Sequence, residues 1–188
     1  QAWLEYLLHF GIDIRGMKKK DAKTTRIEFI YDENGDIINV KLDHGVSTKF
    51  STEIIPEDYF PSKITHICPL PPDMQSDFVA SIRKKTDLLS IDFNQTYTQE
   101  YRQMRDSDLD FIGDADIVFP NEYEARELSG EYDLKKAAEY LAEMGVFCVV
   151  ITKGQKGCLI YCGGEFFHIP SLSYPVVDAT GCGDAFIG

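Results

Sequence analysis

After Pro61 the chain alternates short apolar runs with longer segments of helical period, and this alternation restricts the fold more than any other feature. Residues 64–68, 88–92, 117–120 and 147–152 are apolar runs of the kind that fill buried parallel strands. Between them the spacing predicts helices over 74–85, about 97–106, and 133–144. In the last, Leu134, Ala138, Leu141 and Ala142 form the expected inner face. Residues 158–162 and 165–169, joined by Gly163-Gly164, read as a hairpin at the far side of the sheet. A βαβα order with a mostly parallel sheet predicts a doubly wound, three-layer α/β fold, whose ligands sit at the carboxyl ends of the strands.

Upstream of Pro61 the texture differs. Residues 2–10 carry Trp3, Leu4, Leu7 and Leu8 at helical spacing, and Gly11 stops them. Residues 25–31 and 37–42 are β-prone runs, and Asn34-Gly35 between them is a hairpin-turn signal. No internal repeat or low-complexity tract is visible.

With 188 residues, 44% of them hydrophobic, the chain is long enough to bury a core in a single domain over 1–188. Its formal charge of −12 argues against a nucleic-acid groove or an anionic membrane surface, since both need clustered Lys and Arg. The run Lys18-Lys19-Lys20 is followed by Asp21 and reads as a solvated turn. No apolar run approaches ~18 residues, and no charged-then-apolar leader opens the chain, so neither a membrane span nor a signal peptide is expected. The five cysteines have no disulfide-framework spacing, which fits a reducing cytoplasm. Cys158 and Cys162 are expected to share a strand face as packing residues. Both ends read as cut: Gln1 lies inside an amphipathic segment, and a helix begun near Cys182 has fewer than two turns before Gly188.

The chemistry concentrates in the last residues, Asp178-Ala179-Thr180-Gly181-Cys182-Gly183-Asp184, followed by an apolar segment. Glycines allow backbone N–H groups to turn toward one point, and a helix starting there adds its positive end, which suits a phosphate. An Asp at that mouth is a poor phosphate ligand but a good base for an attacking hydroxyl. The plainer alternative is a first-turn acid that stabilises the helix dipole.

This segment resembles the D-T-x-G-A-G-D signature of the ribokinase-like (PfkB) carbohydrate kinases, with Cys182 where the family usually has Ala. Two further matches fall in order upstream. Asn121-Glu122-Tyr123-Glu124 is similar to the family's N-x-x-E motif, and Thr152-Lys153-Gly154-Gln155-Lys156-Gly157 to its T-x-G-x-x-G strand end. The resemblance implies that Asp184 removes the proton of the acceptor hydroxyl, and that Gly181, Cys182 and Gly183 supply an anion hole. It implies that Asn121 and Glu124 order Mg²⁺ through water, and that Thr152, Gly154 and Gly157 lie against the ATP. Asp178 and Thr180 match positions that help bind a monovalent cation such as K⁺. The hairpin over about 25–43 matches the family's β-lid, through which a homodimer is expected. Asp92-Phe93-Asn94 resembles a D-x-N strand end facing the active site, although Gln95 replaces the Arg that often follows.

Competing readings stay beside these. Asn121 and Glu124 suit an N-cap and its capping box. Thr152, Gly154 and Gly157 also fit a plain strand exit and turn. Residues 32–36 have the acids of a calcium loop without its spacing. Gly181-Cys182-Gly183 lacks the third glycine of a dinucleotide fingerprint, and no Walker A sequence exists. His9, His44, His66 and His168 have no metal-ligand spacing. The expectation is a cytoplasmic carbohydrate kinase using ATP and Mg²⁺ on a sugar hydroxyl. A nucleoside kinase of the same family, or a non-catalytic module on the same scaffold, are the alternatives.

Overall fold

The computed structural model describes residues 2–31, 37–47, 51–104, 108–173, 175 and 179–188. The chain divides into two compact units, Gln1–Phe60 and Pro61–Gly188.

The first unit contains helix α1 (Ala2–His9) and strands β1 (Arg26–Tyr31) and β2 (Ile37–Asp43), which pair antiparallel from Arg26↔Asp43. This is the expected hairpin, but its turn at Asn34-Gly35 lies outside the described residues. The hairpin base is closed by the Thr25 hydroxyl, which donates to the His44 carbonyl at 2.7 Å. Arg15 ties the following segment together, reaching Asp13 and, at 2.5 Å, Asp58. All three side chains are well exposed, so these pairs fix geometry more than they add stability.

The second unit is built on a six-stranded sheet: β3 (Ser62–Ile67), β4 (Thr86–Asp92), β5 (Ile117–Phe119), β6 (Cys148–Thr152), β7 (Cys158–Cys162) and β8 (Glu165–Ile169). These stand in chain order, the first four parallel and the last two added antiparallel. The connections carry α2 (Pro72–Ile82), α3 (Thr98–Gln103), α4 (Glu122–Ser129) and α5 (Leu134–Glu143), and α6 (Cys182–Ile187) follows the sheet. Ile67, Ile91, Val118 and Val149 stand side by side on one sheet face and are buried. With Val79, Ile82, Ala125, Ala138 and Leu141 from the helices they form the core. Each of these Val, Leu and Ile side chains contributes about 1.5–3 kcal/mol by leaving water. The opposite face is more open, and Ile64 on it is 67% exposed.

The structure departs from the sequence expectation in detail. The 97–106 helix is a short 3₁₀ turn, Gln95–Tyr97, running into α3, and residues 105–107 are not described. The inner face of α5 is Ala137, Ala138 and Leu141, while Leu134 and Ala142 are only half-buried. Asp133, expected inside this helix, instead caps it by accepting from the Lys135 N–H at 2.8 Å.

Gly157 illustrates a constraint set across the sheet. Its φ is +86°, and a Cβ there would lie 1.9 Å from the Ile169 carbonyl oxygen. The loop it closes leans on the exit of β8, where the Ser171 hydroxyl donates to the Gln155 carbonyl. Gly157→Ala is therefore expected to destabilise the fold by about 1–3 kcal/mol, since both the dihedral and the contact must relax. Urea unfolding measures it, and an unchanged midpoint would refute the steric account.

Candidate active site

Strands β3 to β6 end at one edge of the sheet, and the segments leaving them enclose a pocket together with the start of α6. Asn121 reaches it because the pairing of β5 with β6 extends one step beyond the strands, as a parallel bridge to Thr152. The Thr152 N–H donates to the Pro120 carbonyl at 2.9 Å, fixing that junction.

Asn121 caps α4. Its Oδ1 accepts from the Glu124 N–H at 2.9 Å, and Glu124 Oε2 accepts from the Asn121 N–H at 2.8 Å, a complete capping box. The capping reading is thus realised, yet Glu124 is also a pocket residue, 4% exposed. Burial pushes its carboxyl up to about 7, against the pull of N–H donors from Asn121 and Gln95, and the charge of Asp92 adds to the rise. Asp92, at the end of β4, is pushed up to about 6 by burial, with a further contribution from Asp184. Its Oδ1 accepts from the Phe93 N–H at 2.9 Å.

One buried and one half-buried carboxyl, neither with a Lys or Arg partner among the described residues, make an acidic pocket that favours a cation. All the donors are hard oxygens, which suits Mg²⁺. Among the described residues no three His, Cys, Asp or Glu groups converge closely enough to ligate a metal directly, so contact through water fits better.

Both carboxyls have folded-state pKa values above their unfolded ones. Their protonated forms favour the folded chain at low pH, and this contribution is lost as pH rises through about 6 and 7.

At the other wall, Gly181 has φ +77° and caps α6, and its carbonyl accepts from the Ala185 N–H at 2.9 Å. The left-handed dihedral is what glycine allows. Asp184 stands in the first turn of α6, exposed and facing the pocket with Gly181 and Gly183. Gly183 has open space around it: nothing lies within 4 Å of where a Cβ would stand.

Six residues singled out from the sequence therefore line one pocket: Asp184, Gly181, Gly183, Asn121, Glu124 and Thr152. Cys182, Thr180, Gly154 and Gly157 do not line it, and Asp178 is outside the described residues. Gly154 begins the turn after β6 with φ +54° and no atom within 4 Å of a Cβ, leaving its backbone approachable. Gly157 is accounted for by the contact with Ile169.

The pocket also takes in Asp92 and Asn94, the strand end where Gln95 replaces the Arg that often follows, together with Pro69 and Phe119. Asn94 Oδ1 is engaged locally, accepting from the Thr96 N–H at 2.9 Å. Behind them stands Gln75, fully buried and unnoticed in the sequence. Its Nε2 donates to the carbonyls of Cys68 (3.2 Å) and Asp92 (2.8 Å), and its Oε1 accepts from the Tyr101 hydroxyl at 2.5 Å. This amide clamps the ends of β3 and β4 at the pocket rim. No sequence signal distinguishes it from any polar residue on a helix.

A family model described as pfkB family carbohydrate kinase matches residues 1–188. The cytidine kinase of Thermococcus kodakarensis is 39% identical over 188 residues, covering 99% of this chain and 66% of that protein. The ribokinase of Mus musculus is 40% identical over 92 residues, covering 45% of this chain and 28% of that protein. Among solved structures, the ribokinase of Thermotoga maritima superposes with a TM-score of 0.78 at 24% identity, covering 99% of this chain and 60% of that one. The chain thus spans about two thirds or less of these relatives. At that identity the superposition speaks for the fold, and it agrees with the mostly parallel sheet flanked by helices. Together with the match along its whole length, this shows that the chain belongs to the pfkB family of carbohydrate kinases.

Proposed function

We propose that the protein transfers the γ-phosphoryl group of ATP to a hydroxyl of a small ribosyl compound, with a nucleoside favoured over a free sugar. The observation that carries the substrate preference is the extent of similarity. In sequence, the cytidine kinase match runs over 99% of the chain, whereas the match to the mouse ribokinase reaches 45% of it. This reverses the order expected from the motifs, which are common to both substrate classes.

In this reading Asp184 accepts the proton of the acceptor hydroxyl as that oxygen attacks phosphorus. The proton moves onto a carboxylate at the pocket mouth, where solvent can later remove it. The backbone N–H groups of Gly181, Cys182 and Gly183 stabilise the charge that grows on the transferred group, and the positive end of α6 adds to them. Thr152 and Gly154 receive the nucleotide. Asn121, Glu124 and Asp92 would hold Mg²⁺ through water, and the ion supplies charge neutralisation to the phosphates. The two carboxyls gain in return, because a cation supplies the opposite charge that no described Lys or Arg brings them.

The direct test is ATP consumption by the intact protein with Mg²⁺, supplied separately with cytidine, other nucleosides, ribose and deoxyribose. A kcat/KM for a nucleoside at least ~10-fold above that for either sugar is expected, because groups that pair with a base are left unpaired by a free sugar. Preference for a free sugar would restore the carbohydrate reading, and no turnover with any acceptor would favour a non-catalytic module.

Glu124→Gln separates the metal role from the cap. Glutamine keeps an oxygen for the Asn121 and Gln95 N–H groups and removes a carboxyl that resists ionising. The variant is expected to melt at or above the parent at pH 8 without metal, with a flatter dependence of stability on pH between about 5 and 8. The Mg²⁺ concentration for half-maximal activity should rise severalfold. A normal Mg²⁺ titration with a loss of about 1 kcal/mol would leave Glu124 as a capping residue alone.

A further inference from the structure

Cys148 opens β6 and Cys162 closes β7, and the antiparallel register sets them directly opposite each other. The kind of pairing follows from the loop end of the same ladder. There the Lys153 N–H donates to the Gly157 carbonyl at 2.8 Å, so 153 and 157 are a hydrogen-bonded pair. Pair types alternate along an antiparallel ladder, which makes Cys148 and Cys162 a non-hydrogen-bonded pair. In such pairs the Cα atoms stand about 4.5 Å apart and the side chains approach most closely. A disulfide spans Cα separations of roughly 4.4–6.8 Å, so the backbone need not move to admit one.

The thiols themselves agree with this placement. Both are free and half-buried. Burial first, and then the neighbouring sulfur, pushes Cys148 up to about 12, so it keeps its proton. Cys158 lies opposite Thr152, and Cys68 and Cys182 lie outside the strands, so none of these three has a cysteine facing it across a ladder.

We propose that Cys148 and Cys162 form a reversible redox pair, closed to a disulfide by a peroxide and reopened by a thiol reductant. The Cys162 thiol gives its proton to solvent as its sulfur attacks hydrogen peroxide and takes one oxygen as a sulfenic acid, and the hydroxide released picks up that proton as water. The Cys148 sulfur then displaces the sulfenic hydroxyl, which leaves as water with the Cys148 proton. Two thiols are oxidised and one peroxide is reduced to two waters. Two equivalents of thiol reverse the bond by exchange.

The bond would close residues 148–162 into a loop. It ties β6 to β7 at the end remote from Thr152 and the 153–157 turn, so it stabilises the strands that carry this turn without entering the pocket. Nothing in the inference depends on the reaction proposed above.

The experiment treats the intact protein with hydrogen peroxide in the presence of a chelator, followed by peptide mapping without reduction. The expected product links the Cys148 peptide to the Cys162 peptide, with a melting temperature raised by roughly 5 °C and restored by dithiothreitol. Cys148→Ser and Cys162→Ser should each lose the rise, while Cys68→Ser, at an exposed position, should keep it. The inference is overturned if Cys162 ends as a sulfinic acid or a mixed disulfide, if all five thiols survive, or if the rise persists in Cys148→Ser.

Discussion

Asp184→Asn is expected to lower kcat by about 10²–10⁴-fold, the scale of a positioned acid–base group, while nucleotide affinity stays close to that of the parent. Asparagine preserves the size and the hydrogen-bonding outline of the side chain but cannot take up the acceptor's proton. Asp184 is exposed in the first turn of α6, so the cost to folding is confined to a lost helix-end charge, about 0.3–1 kcal/mol. The separation of effects is the point of the test. Steady-state turnover beside nucleotide binding by calorimetry resolves it. Turnover within tenfold of the parent would remove Asp184 from the role of base and direct attention to Asp92 and Glu124, which line the same pocket.

Gly183→Val should abolish turnover, with a loss above about 10²-fold, and leave the melting temperature essentially unchanged. The structure makes this variant clean. Gly183 does not have the positive φ seen at Gly181, and a Cβ at 183 meets nothing within 4 Å. Any loss therefore comes from crowding of a bound phosphoryl group or from opening of the loop around it. Gly181→Val would confuse the two effects, because at φ +77° a β-branched residue strains the backbone before any ligand arrives. A near-normal kcat for Gly183→Val would mean that the loop is only the entry to a helix.

Much of the second unit was legible because its signals are local. The β7–β8 hairpin occupies the residues the apolar runs and Gly163-Gly164 predict, since a two-residue glycine turn sets its own register. The parallel strands deviate by one or two residues at their ends, where the chain leaves the ladder and periodicity carries no weight. Helix α4 was visible only as its cap. Its buried side chains are Glu124, Ala125 and Leu128, too few apolar positions in too short a segment to register as a period. The 3₁₀ segment Asp110–Asp114 escaped as well. It is seated by a backbone approach, where a Cβ on Gly113 would lie 2.0 Å from the Met144 carbonyl oxygen.

The sequence by itself determined the order of the strands and most helices and the three motifs, two at strand ends and one at a helix start, because periodicity, caps and glycine turns act within a few residues. Tertiary structure decided what those motifs face. Asp92 ends β4 and Glu124 follows β5, and only the parallel pairing of these two strands brings both carboxyls to one pocket. The raised pKa values follow from that burial and not from the residues' identity. The same holds for Gln75 beneath the strand ends, for Gly157 against Ile169, and for the register that sets Cys148 opposite Cys162. Each is a contact between positions distant in the chain, fixed by close packing and ladder register, for which no local propensity leaves a mark.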